Sequence, residues 1–305
     1  MSAHPFFSDR RVVVALASLC CLLWGSAYPA IKTGYALFDI AVGDIPSKLL
    51  FAGYRFMFAG LVLLALAMLA RRNIFVLNRG NLFSTCLLGL TMTSLQYVFF
   101  YVGLAYTTGV KGSILNAATT FFSVLLAHYI YRNDRLNIYK AIGCLIGFAG
   151  VVVVNFSKDL LDFQFTLLGE GFVVISMFIL SATSIYGKKL SQTMDAVVLT
   201  GYQLSIGGFV LVVAGYAAGG KLAGFTPGSA ALLAYMVLLS SAAYSMWATL
   251  LKYNRVGMVA VFNLLIPIFG AILSAIFLGE SVLEWKNVAA LALVCSGIWL
   301  VTQER

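Results

Sequence analysis

Charge is what this chain has least of. Only 10% of its 305 residues are Asp, Glu, Lys or Arg, against roughly 25% in soluble domains, so an ordinary water-facing surface cannot be built from it. Histidine is scarce as well: His4 and His128 are the only two, no HExxH occurs, and no two acids fall in the middle of an apolar run. Intramembrane hydrolysis needs a nucleophile with a base, a metal cluster or paired acids, so the sequence speaks against an enzyme and against any resident metal or other cofactor. The five cysteines, Cys20, Cys21, Cys86, Cys144 and Cys295, show neither metal spacing nor a disulfide framework. All lie inside apolar runs, where a small polarizable side chain packs well.

What is abundant is apolar length. Residues of apolar or aromatic type make up 61% of the chain, in runs near the roughly 20 residues that span a bilayer. These runs predict ten transmembrane helices, at 12–31, 48–70, 82–104, 112–131, 137–156, 167–187, 196–218, 229–251, 257–278 and 283–302. The linkers are too short to fold into a soluble domain, so any activity must be carried by the helices. The first run comes after a basic pair, as in a signal peptide. It is too long for a signal core and lacks a small-x-small cleavage site before Lys32, so it is expected to be the first span.

Basic residues gather on the cytoplasmic side of membrane proteins. With the N-terminus inside, 13 of the 20 Lys and Arg fall in inner segments and 6 in outer ones, with Arg55 inside a span. The net charge of +9 is then a topology signal. A nucleic-acid surface would instead need the basic residues clustered on one folded face, and no nucleic-acid partner is expected.

Sliding the chain by 147 residues aligns spans three to five with spans eight to ten without a gap, with ten identities in 66 positions. Tyr97 falls on Tyr244, Asn116 on Asn263 and Gly150 on Gly297. The expected units are 1–156 and 157–305, five spans each. Five is odd, so the second unit must enter the membrane from the opposite side. Inverted repeats of this kind suit secondary transporters, because the two halves can exchange shapes and open a central site to each side in turn.

The motifs "WGSAYPAIK" at 24–32, "YRFMFAGLVLL" at 54–64 and "PIFGAILSAIFLGESV" at 267–282, with "GIWLV" closing span ten, resemble the drug/metabolite transporter superfamily, and within it the ten-span EamA transporters. The likeness covers essentially the whole chain. It implies an all-helical multi-pass protein of the cytoplasmic membrane, embedded in lipid, that works by alternating access and exports amino acids or other small metabolites. It also implies dimer contacts through spans five and ten. Two features depart from the family pattern: Thr120 and Asn133 stand in the first half where Pro267 and Glu280 stand in the second. Small relatives that expel cationic drugs carry a glutamate in their first span, and span one here has no acid. Efflux of other solutes and channel-like facilitation are the alternatives, although no filter-like repeat or ring of one charge is visible.

A helix-interior proline frees the carbonyl four residues back. Pro267 frees that of Asn263 and Pro29 that of Gly25, so Gly25, Pro29 and Pro267 are candidate hinges, the other reading being a fixed kink. Glu280 reads as a solvated cap or as a partner for a neighbouring base such as Lys286. Arg55, about 10 Å into span two, either faces a wet cavity or snorkels to the headgroups. Trp24 with Tyr28, Tyr97 with Tyr101, and Tyr244 with Trp247 lie at helical spacing near mid-span, adjoining Ser26, Gln96, Asn116, Gln203 and Asn263. They are either lipid or core packing or the aromatic walls of a substrate cavity. Such a cavity, with Arg55 as its fixed cation, suits a small carboxylate with an apolar part. Gly143, Gly147 and Gly150 allow another helix to approach closely, in a subunit seam or within one chain.

Overall fold

The computed structural model describes residues 5–74, 79–107, 109–154, 165–278 and 285–303. Among these there is no strand, and helices α1 to α10 succeed one another. Helix α1 is Arg10–Leu37 and α2 is Ile45–Leu69. Helix α3, Gly80–Tyr106, winds as a π-helix over Gly89–Leu95. Helix α4 is in two pieces, Gly109–Asn116 and Ala118–Ile130, and α5 is Ile138–Val154. Helix α6, Leu167–Ser191, opens with a π turn, α7 is Ala196–Ala217 and α8 is Pro227–Tyr253. Helix α9 is compound: Val256–Ala260, a 3-10 turn at Val261–Leu264, then Leu265–Leu278. Helix α10 is Trp285–Thr302. Seven stretches are long and apolar enough to cross a membrane, and α4, α5 and α10 supply shorter apolar helices of 10–17 residues. Glu280 lies outside the described residues.

The scarce polar residues between helices have a common use. A helix start leaves its first N–H groups without intrahelical partners, and here short polar side chains take them. Asp9 accepts from Arg11 N (2.8 Å), Asp44 from Ser47 N (3.0 Å) and Asp195 from Val197 N (2.9 Å), while Thr166 and Thr226 cap α6 and α8. Three of the six Asp and Glu among the described residues thus serve helix starts.

Helix α2 packs along α7 and α5 along α10; α1 lies against α8 and α9, and α6 against α3 and α4; α3 meets α7 as α8 meets α2. Replacing each helix by the one five positions away in this order reproduces the same set of pairs. Glycine permits the closest of these contacts. A Cβ on Gly53 would stand 2.7 Å from Val212 N in the α2–α7 seam, and one on Gly143 would stand 2.7 Å from the Gly297 carbonyl oxygen in the α5–α10 seam. Gly150 likewise meets the Ala290 carbonyl, and Gly147 meets Leu264. These three glycines are thus occupied by contacts within one chain.

Basic residues from several helices meet at one end of the bundle. Arg72 pairs with Asp195 at 2.8 Å on the surface, Lys252 donates to the Met194 carbonyl, and Asn254 Nδ2 donates to the Phe7 carbonyl. The buried pair Lys140–Asp134, 2.9 Å apart, lies nearby, with Asp134 also accepting from Gly257 N. This is the end expected to be cytoplasmic. Leu37, Lys48 and Tyr106 lie at the far end.

A central cavity between the two sets of helices

A cavity of about 270 Å3 lies among α1, α2, α3, α4, α6, α8 and α9. It runs from the half-exposed Lys48 and from Tyr35 at the far end to Leu251, Val256 and Ala260 toward the basic end. Nine of the ten candidate binding residues border it: Trp24, Tyr28, Arg55, Tyr97, Tyr101, Asn116, Tyr244, Trp247 and Asn263. The tenth, Gln203, does not. Its amide donates to Thr93 Oγ1 in the α3–α7 seam, and its side chain borders a smaller pocket of about 40 Å3 next to the main one.

The aromatic wall is continuous. Trp24 meets Tyr244 and Trp247 edge-on, with ring centroids 5.4 and 5.1 Å apart. Phe56 lies 4.6 Å from Tyr97 and 5.9 Å from Tyr244. The two tyrosines aligned by the 147-residue repeat touch each other, Tyr97 Oη and Tyr244 Oη being 2.8 Å apart. Asn116 Nδ2 donates to Tyr28 Oη at 3.2 Å. Its counterpart Asn263 borders the cavity, and its side chain has no hydrogen-bond partner among the described residues.

Arg55 is 3% exposed. Its Nε donates to Ser240 Oγ at 2.6 Å and its Cζ lies 4.9 Å from the centre of the Phe56 ring. No acid is paired with it, and its Nη atoms have no hydrogen-bond partner among the described residues. An unpaired buried guanidinium is costly, several kcal/mol by order of magnitude, unless water or a ligand anion reaches it. No Asp or Glu borders the cavity among the described residues. Two further polar atoms are sealed without partners, Trp24 Nε1 and Gln96 Oε1.

The candidate hinges sit differently from one another. Helix α1 is continuous through Pro29. Gly25 is the point where α1 crosses α9, a Cβ there being 2.6 Å from Phe269 Cβ. Pro267 is not in a helix interior. It is the third residue of Leu265–Leu278, in the first turn where proline's missing N–H is tolerated, and the irregular turn precedes it. Carbonyls of that turn find side-chain donors: Ala260 O accepts from Thr120 Oγ1 (3.2 Å) and Phe262 O from Cys21 Sγ (3.1 Å).

Comparison with known proteins decides the family. Residues 11–156 and 167–303 each match the model of the EamA-like transporter family. The chain belongs to that family. Relatives in it include an "uncharacterized transporter" of Archaeoglobus fulgidus, 27% identical over 95% of this chain and 97% of its own length. The "uncharacterized transporter YvbV" of Bacillus subtilis is 26% identical over 95% and 91%. A crystal structure shares the fold at a TM-score of 0.78, with 16% identity over 97% of this chain and 98% of the other. This EamA-like transporter is a multi-pass membrane protein.

Three contributors to the cavity went unseen in the sequence. Lys48 reads there as a topology charge, Tyr35 falls in the linker after span one, and the π-helical turn of α3 has no signal in hydropathy. An extra residue in a turn rotates the side chains beyond it, and such turns recur at functional sites; here it precedes Gln96, Tyr97 and Phe100, all on the cavity.

Proposed function

We propose that this EamA-like transporter is an alternating-access carrier of small carboxylates, amino acids or related metabolites, exported across the cytoplasmic membrane through the central cavity. The observation that carries the reading is Arg55: a buried guanidinium facing a cavity that no Asp or Glu borders among the described residues, which a carboxylate would pair with in charge-assisted hydrogen bonds. The aromatic wall of Trp24, Tyr97, Tyr244 and Trp247 would take the apolar part of the solute.

Two inverted five-helix units, 1–156 and 157–305, would be the moving parts. The family match in two segments, the packing pairs that reproduce themselves on exchange of halves, and the hydroxyl contact of Tyr97 with Tyr244 support that reading. The flexing points would be the interruptions in α4 and α9, with Pro267 holding the second and the crossing of α1 at Gly25 and Pro29 beside it. The cavity's reach to Lys48, and the closely tied basic end, support reading this as the outward-facing state.

The test is counterflow in proteoliposomes, since only a carrier exchanges labelled for unlabelled solute. Carboxylate hits from a thermal-shift screen should exchange through the wild-type protein and at least about tenfold more slowly through Arg55→Gln, a loss of about 1.4 kcal/mol or more. Organic cations as the main hits, or exchange of a carboxylate by Arg55→Gln at the wild-type rate, would sink the proposal.

A further inference from the structure

Below the main cavity lies the small pocket of about 40 Å3, which shares Met92, Ser184, Tyr244, Trp247 and Leu251 with it. Its distal wall holds Lys188, a lysine only 7% exposed. Lys188 Nζ donates to the Asn254 carbonyl and lies 5.3 Å from the centre of the Tyr131 ring. No acid is within ion-pair distance of it among the described residues: Asp134 is taken by Lys140 Nζ and by Gly257 N–H, so two buried lysines share a neighbourhood with one carboxylate. A lysine ammonium has three donors, and the Asn254 carbonyl uses one.

We propose that Lys48, Arg55 and Lys188 form one cationic path from the far end of the bundle to the basic end, and that the solute is an organic anion of net negative charge. The proposal rests on the carboxylate reading above and narrows it. Lys48 stands at the mouth, over Tyr35 (5.3 Å). Arg55 lies seven residues further along α2, about 10 Å deeper. Lys188 lies beyond the partition made by Tyr244 and Trp247, in the pocket toward the basic end. Neither cavity is bordered by Asp or Glu among the described residues. A zwitterion brings an ammonium group as well as a carboxylate, and the walls offer that ammonium neutral dipoles and aromatic faces but no Asp or Glu among the described residues, in a field of three cations. An anion meets a favourable charge at each stage, as it does in anion-conducting pores lined by Lys and Arg. Single sites spaced along the route also let it leave, because no one station holds it with more than one charge.

Two probes with the same apolar body separate the cases: phenyllactate, a net anion, and phenylalanine, the zwitterion that differs in bearing an ammonium in place of the hydroxyl. The full-length protein is reconstituted in liposomes and the flux of each is followed while the membrane potential is set with potassium and valinomycin. Phenyllactate should move faster than phenylalanine, and an interior-positive potential should speed its entry. Lys188→Gln should lower phenyllactate flux about tenfold, within the range that focused charge contributes to on-rates, and phenylalanine flux by clearly less. Lys188→Arg should restore it. Lys48→Gln, at the half-exposed mouth, gives the same charge-selective readout if Lys188→Gln fails to reach the membrane. Phenylalanine moving as fast as phenyllactate, no response to potential, or equal loss of both fluxes in these variants overturns the net-anion path. If Arg55→Gln still abolishes phenylalanine flux in that case, the carboxylate reading stands alone. Movement of neither probe removes both.

Discussion

Helices α4 and α9 occupy the same place in the two halves and are interrupted at the same register, at Ala117 beside Asn116 and at Val261–Leu264 around Asn263. Only one of them has a proline. Proline is therefore not what breaks these helices. What they share is a neighbouring helix whose side chain donates to a carbonyl beside the break, an added tie where no water is at hand. Helix α1 offers Cys21 to Phe262 O, and helix α6 offers Ser181 to Thr119 O at 3.0 Å. The two breaks are also tied to each other through Thr120 and Ala260 O. Pro267, standing where Thr120 stands in the other half, occupies a turn in which its ring is harmless.

The comparison can be broken most forcefully at Thr120. Thr120→Val keeps the shape and removes the side-chain donor, leaving Ala260 O with only its bond inside the 3-10 turn, and should cost about 1.5 kcal/mol in thermal unfolding of the purified protein. Thr120→Ser should recover most of it. An unchanged melting temperature in Thr120→Val would mean that the α9 break does not depend on its twin.

A smaller loss is expected at Cys21. Cys21→Ala removes a weaker donor and should cost about 1 kcal/mol, with Cys21→Ser retaining stability near wild type. If the alanine and serine variants melt together, the thiol is only a packing group and the carbonyl of Phe262 is served by backbone alone.

The smallest effect on stability belongs to Pro267→Ala, under about 1 kcal/mol, the size of proline's restriction of the unfolded chain. Solute exchange should nonetheless slow, because α9 could then wind regularly through the break proposed above as a flexing point. Exchange at the wild-type rate with normal abundance would leave Pro267 with no part in the motion, and a large drop in stability would return the break to proline's account.

The positions of the apolar stretches were legible in the sequence because spanning length and hydropathy act locally. So was the pairing of Tyr97 with Tyr244 and of Asn116 with Asn263, since a shared offset needs no knowledge of packing. Gln203 shows the limit: helical spacing places it near mid-span but not on a face, and the face it uses is set by the glycine-lined seam between α2 and α7 and by Thr93. The α4 interruption was illegible for a related reason. The side chain that meets it comes from far away in sequence, Ser181 on Thr119 O, and only proximity in space reveals that. Lys48 and Lys188 were counted toward topology because a lysine near a span end ordinarily faces water. That one borders the cavity mouth and the other is buried results from the tilt and crossing of helices, which composition does not encode.

The contact between Tyr97 and Tyr244 has a consequence for inheritance. A duplicated unit ordinarily lets each copy drift by itself, but two hydroxyls 2.8 Å apart at matched positions tie the copies together. Whichever tyrosine loses its oxygen first strands the other's, while losing both restores a matched apolar pair. The route from Tyr/Tyr to Phe/Phe thus crosses a less fit intermediate in either order. One atom pair in the middle of the molecule acts as a ratchet that holds both halves to a common past.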